Sequence, residues 1–171
     1  MQDKTPIGHI HAVPVYGRLP QRFVGLLPKI EAITSPNEWS GLSYIVCCDE
    51  DIDTTVHQNI AGGMYLRHAE LNVKYSDGTE EYFYIGEGRP VIYIEGGLHR
   101  SDYWFAFDFI HELGHHNDPD LPIEAPTVEA ELFAHTFALN RVIKDDFQFE
   151  DETPPMYYKE ANAIWDRENK Q

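Results

Sequence analysis

The run Ser101–Asn117, SDYWFAFDFIHELGHHN, constrains the fold more than any other part of the chain. A Ser-Asp pair opens it, an apolar stretch of two helical turns follows, and His111, Glu112 and His115 close it. Ser and Asp start helices well because their side-chain oxygens accept from the unpaired N–H groups of the first turn. In a helix of about 3.6 residues per turn, positions four apart lie only about 40° apart around the axis. His111 and His115 therefore share a face, and both imidazoles can reach one metal ion. Glu112 stands one residue on and leans to the same side, within reach of a water on that metal. Two neutral nitrogen ligands, an open coordination position and an adjacent carboxylate are what metal-assisted hydrolysis requires.

The chain must turn after this helix, because Pro119, Pro122 and Pro126 cannot continue it. A second helix is expected from about Pro126 to Ile143, with Pro126 near its first position. Glu131 and His135 are four apart in it and share a face with Val128 and Leu139. Two polar groups on a face meant for burial need a partner, and a zinc ion across the helix–helix interface would supply one. Glu129 points about 200° away from Glu131 and cannot serve the same site.

The remaining elements are mostly strands. Leu42–Cys48 is a short apolar run of strand formers. Gly62-Gly63 opens a strand over Met64–Tyr75, in which Leu71, Val73 and Tyr75 alternate with Asn72 and Lys74. Ser76-Asp77-Gly78-Thr79 is a tight turn, and Glu80–Ile85 returns as the partner strand. Val91–Glu95 is a third strand, either central in its sheet or beside a cleft where an extended peptide could pair with it. Phe23, Leu26, Leu27 and Ile30 fall at helical spacing and mark one amphipathic helix over 20–34, weakened by Gly25 and Pro28. Residues 1–19 read as an extended lead-in with a short strand around His11–Tyr16, on which His9 and His11 would share a face. Thr54–Asn59 reads as a brief strand or turn. Pro154–Asn169 reads as a final helix with Tyr157, Ala161, Ile164 and Trp165 on its buried side.

The fold expected is α+β in a single domain over 1–171. A small antiparallel or mixed sheet packs on the motif helix and on the second, glutamate-bearing helix, and residues 90–143 form the metal-site core. With 42% hydrophobic and 13% aromatic residues, the chain can build such a core. No apolar run approaches 18 residues, so no membrane span is expected. The start, MQDKTPIGHIH, lacks the basic and apolar regions of a signal peptide. The two cysteines, Cys47 and Cys48, are adjacent, which suits reduced thiols and a cytoplasmic setting. A net charge of −16 argues against a nucleic-acid partner. The acidic clusters Asp49–Asp53 and Asp145–Glu152 read as solvated loops without the spacing of a calcium loop.

FDFIHELGHH followed by EAELFAHTFALN resembles the minimal gluzincin metallopeptidases, and in particular the ImmA/IrrE-like family. The resemblance covers roughly Pro90–Ile143. It implies a strand, a helix with His-Glu-Leu-Gly-His and a second helix carrying a further ligand. Carried over to this chain, His111 and His115 match zinc ligands, Glu112 the catalytic base and Glu131 the third ligand. Ala134, Phe137 and Ala138 then fall at the family's positions. The departure is His135, where the family usually has Asn or Asp. It could orient a ligand, donate to an oxyanion or join the metal.

The function implied is a zinc-dependent metallopeptidase acting on a protein or peptide, with Glu112 activating the zinc-bound water. His135, His116 and Tyr157 or Tyr158 are candidates for a second oxyanion donor. Two readings compete. If His135 is a fourth ligand, the zinc site is closed and the domain is a binding or regulatory module. If the motif is incidental, the chain is an acidic interaction protein of the nucleic-acid-mimic kind and holds no stoichiometric metal.

Overall fold

The computed structural model describes residues 4–49, 62–67, 69–86, 88–98, 101–121 and 127–148. The readings of 54–59 and 154–169, with Tyr157 and Tyr158, lie outside these residues.

The fold is α+β. In chain order the strands and helices are β1 (Gly8–Ile10), β2 (Val13–Gly17), α1 (Gln21–Val24), α2 (Leu27–Ala32), β3 (Tyr44–Cys48), β4 (Gly63–Leu66), β5 (Ala69–Lys74), β6 (Glu80–Ile85), β7 (Val91–Glu95), α3 (Asp102–Asn117) and α4 (Val128–Leu139). A mixed five-stranded sheet has the order β1-β2-β3-β7-β4. β2, β3 and β7 run parallel, with Cys47 opposite Ile94, while β1 and β4 are antiparallel to their neighbours. β3 and β7 are buried at every residue, which is why each reads as an unbroken apolar run. The β5–β6 hairpin is a separate two-stranded sheet with Lys74 opposite Glu80.

Because side chains alternate along a strand, the central sheet feeds two cores. Ile45, Cys47, Ile92 and Ile94 face the helices, where they join Phe105, Phe109, Ile110 and Leu113 of α3. Tyr44, Val46, Cys48, Val91 and Tyr93 face the hairpin and meet Val73, Tyr75 and Phe83. Both cysteines are free thiols, one in each core.

α3 begins as the sequence indicates: the Ser101 hydroxyl accepts from the Trp104 N–H at 3.2 Å. Every residue from Phe105 to His115 is buried, so α3 is a central helix and not a surface one. Among the described residues no helix is long and apolar enough to cross a membrane.

Four readings need correction. The lead-in is a β1–β2 hairpin, and His11 sits in its turn at φ +50 with its N–H donating to Glu31, so His9 and His11 do not share a strand face. The helix expected over 20–34 is split into α1 and α2. Pro28 falls in the first turn of α2, where its missing N–H does no harm, yet all four apolar residues are buried as their spacing implies. The strand expected over 64–75 is two strands in different sheets, β4 and β5. Of the two places open to β7, it takes the central one, paired on both sides by β3 and β4; among the described residues β4 is the end strand, beside α3. The second helix starts at Val128, capped by Thr127, and ends at Leu139.

Candidate metal centre

α3 and α4 cross where both are small. A Cβ on Gly114 would lie 2.7 Å from the Ala134 Cα and 3.0 Å from its carbonyl oxygen, so only glycine allows this approach. The contact has a consequence one turn earlier on α4, where Glu131 is brought against the histidine face of α3.

Glu131 bridges both histidines. Its Oε2 lies 3.2 Å from His111 Nε2 and its Oε1 lies 3.5 Å from His115 Nε2. The two imidazole rings stand 4.9 Å apart and nearly perpendicular. One donor atom from each of the three residues lies within 4.8 Å of the others. Zinc bonds of about 2.0–2.1 Å at tetrahedral angles put neighbouring donors about 3.3 Å apart. Each histidine has one Glu131 oxygen close to that spacing, Oε2 for His111 and Oε1 for His115, and the donor set of two imidazoles and a carboxylate suits zinc, so the residues present fit the ion.

Charge states agree with the same use. Burial holds His111 below the ordinary histidine value, toward the neutral imidazole a metal needs. Burial pushes the Glu131 carboxyl up, but the two histidines more than offset this and hold it well below the usual range, as a carboxylate. Glu112 differs. Only 4% exposed, it is pushed well above the usual range, first by burial and then by the Asp108 and Glu131 charges; a hydrogen bond from the Tyr65 N–H acts the other way.

The structure thus brings His111, His115 and Glu131 together with Glu112 beside them. His135 is fully buried, 5.0 Å from the Phe107 ring and 6.2 Å from the His111 ring, centroid to centroid. It is not part of the three-residue donor cluster found among the described residues. His116 is engaged elsewhere. Its Nε2–H donates to the Ser40 carbonyl at 2.9 Å, so Nδ1 accepts the Tyr65 hydroxyl at 3.2 Å. Glu129 lies on the exposed side of α4.

Two residues were missed in the sequence. Asp108 is 1% exposed and acts on both His111 and Glu112. Its signal was there: an acid inside FAFDFIH, four residues before Glu112. Tyr65 gave no signal, since only the pairing of β4 with β7 puts it next to Glu112.

No family model, no curated protein and no solved structure matched the chain.

Proposed function

We propose that this chain is a zinc-dependent peptidase of the minimal gluzincin, ImmA/IrrE-like kind, hydrolysing a peptide bond in a protein substrate in the cytoplasm. The observation that carries the reading is the convergence of two imidazoles and the Glu131 carboxylate on one point, with a second carboxylate, Glu112, beside it. A zinc ion held by His111, His115 and Glu131 would supply Lewis acidity, polarising a carbonyl and acidifying a water. Glu112 would take the proton from that water and hand it to the leaving amine. A carboxyl raised above the ordinary range suits both halves of that transfer, because it binds the proton more firmly than a solvated glutamate does.

An extended substrate has a place to lie. Glu95 N–H bonds Gly62 O at 2.8 Å, so in this antiparallel ladder residues 62, 64 and 66 turn their backbone groups toward β7. Gly63 and Tyr65 turn theirs outward, beside α3. A peptide strand could add to this edge through the backbone groups of Gly63 and the Tyr65 carbonyl, the Tyr65 N–H being taken by Glu112. The free, buried state of Cys47 and Cys48 supports a reducing compartment.

Zinc per chain, measured by elemental analysis on the wild type and on Glu131→Ala, tests the reading. The expected result is one zinc in the wild type and little in the variant. No zinc in the wild type after zinc is supplied would remove the peptidase reading and leave His111, His115 and Glu131 as a self-paired polar cluster.

A further inference from the structure

α3 fixes where the Cα of Glu112 lies, but not where its carboxylate points. A free glutamate side chain has three rotatable bonds, and ordering it costs conformational entropy. What orders it here comes from β4. At Gly63 an added Cβ would stand 2.8 Å from Glu112 Cγ, 3.2 Å from its Oε1 and 3.0 Å from Ile94 Cδ1. The Glu112 stem therefore occupies the space that any other residue at 63 would fill. Two residues on, the outward N–H of Tyr65 donates to the Glu112 carboxylate. Gly63 and Tyr65 are on the same face of β4, so one strand supplies both the gap and the donor.

The register of that strand on α3 is also pinned. The Tyr65 hydroxyl donates to His116 Nδ1, next in sequence to the ligand His115, and His116 Nε2 is tied to the Ser40 carbonyl. Arg67, two further on, donates to the Leu121 carbonyl at 3.0 Å. β4 is thus held on α3 at two points, Gly63 on Glu112 and Tyr65 on His116, and just beyond both elements Arg67 holds the Leu121 carbonyl.

We propose that β4 is the positioning element of the general base: Gly63 makes room for the Glu112 stem, the Tyr65 amide aims its carboxylate, and the Tyr65–His116 bond keeps strand and helix in register. This rests on the peptidase reading for the word base, while the tether itself can be read without activity. Gly63 and Tyr65 are positioning residues and need not touch substrate.

The test uses the full chain, labelled with nitrogen-15, with zinc and after chelation. In the wild type the Tyr65 amide proton should resonate downfield and exchange slowly. In Glu112→Gln, compared with the wild type at a pH high enough to ionise Glu112, it should move upfield, because a charge-assisted bond becomes a neutral one. Gly63→Ala should keep one zinc per chain but lose on the order of 100-fold in kcat, the scale of an ångström misplacement of a reacting group, with KM little changed. A Tyr65 amide indifferent to Glu112→Gln overturns the proposal, as does a Gly63→Ala enzyme with full kcat. If Gly63→Ala does not fold, the amide in Glu112→Gln decides alone. If the zinc-loaded wild type cleaves nothing in a peptide library, the peptidase reading falls, and the amide still reports whether β4 holds Glu112.

Discussion

The two faces of the central sheet bury polar groups in opposite ways. On the hairpin face the Tyr75 hydroxyl donates to Glu81 at 2.6 Å, Tyr44 to the Tyr84 carbonyl at 2.9 Å and the Cys48 thiol to the Lys74 carbonyl at 3.0 Å, and the buried Glu95 carboxyl is hydrogen-bonded by Tyr93. Outside that layer Tyr82 and Tyr84 lie half or more exposed. On the helix face Asp108, His111, Glu112, His115 and His135 are all at least nine-tenths buried, and the Asp108 charge acts on both His111 and Glu112. Burying ionisable groups together costs stability unless something compensates. One face is built like an ordinary core layer. The other gives up stability at one point, which is how a functional site differs from its scaffold.

That contrast can be broken most sharply at Glu112. Glu112→Gln should lower peptide hydrolysis by on the order of 10⁴-fold, the upper end for loss of a general base, and should leave zinc in place. Rates on a cleaved peptide and zinc per chain would show it. A variant that cleaves at the wild-type rate removes Glu112 from the chemistry. Next comes Glu131→Ala. If about 10–16 kcal/mol of zinc affinity is shared among the three protein ligands, losing one costs about 3–5 kcal/mol, a drop of some hundred-fold or more in affinity. Zinc should then raise the melting temperature of the wild type but not of the variant.

The hairpin face should respond in the opposite sense. Phe83 is 5% exposed, with its ring 6.2 Å from that of Tyr44 and Lys4 over its face. Phe83→Ala should cost about 3 kcal/mol of stability by denaturant unfolding and leave zinc content per folded chain unchanged. Zinc lost together with the hairpin core would mean the two faces are not separable. Gly114→Ala sits at the join between scaffold and site. The added methyl meets Ala134, so the variant should lose about 1–3 kcal/mol and bind zinc more weakly as Glu131 is pushed off the histidines.

How much of this could be read from the chain follows from which forces are local. α3 was legible because its cap, its apolar run and its two histidines lie within one stretch, and helical spacing put His111 and His115 on one face. Glu131 and His135 stood out because they are polar inside an apolar helix. β3 and β7 announced their burial by composition. What could not be read depends on partners distant in the chain. Gly63–Leu66 and Ala69–Lys74 look like one strand, and only pairing with β7 separates them into two sheets. The β1–β2 turn places His11 at φ +50, a conformation usually marked by glycine or asparagine, so the hairpin gave no local signal. The role of β4 at Glu112 was hidden for the same reason, since strand and helix meet only in the folded molecule.

The smallest expected effect tests whether the helix face is a special point or a uniformly strained surface. Glu38 lies on that side but away from the donor cluster. Burial pushes its carboxyl up, but the Ser35 N–H at 2.7 Å and the Arg141 guanidinium outweigh this, so its value sits below the ordinary one. Arg141 follows α4, and Asn117 at the end of α3 donates to the Glu38 carbonyl, so this residue links both helix ends. A carboxyl lowered in the folded state adds stability that is fully present above the unfolded value of about 4.3 and is lost as pH falls through the folded value. Glu38→Gln should therefore flatten the loss of stability below about pH 4.3, by less than about 1 kcal/mol, and leave zinc binding at neutral pH intact. Denaturant unfolding from pH 3 to 7 would read this. An unchanged acid limb would show that the Glu38–Arg141 pair contributes nothing. Zinc lost in this variant would mean that the strain of the site spreads over the whole helix face.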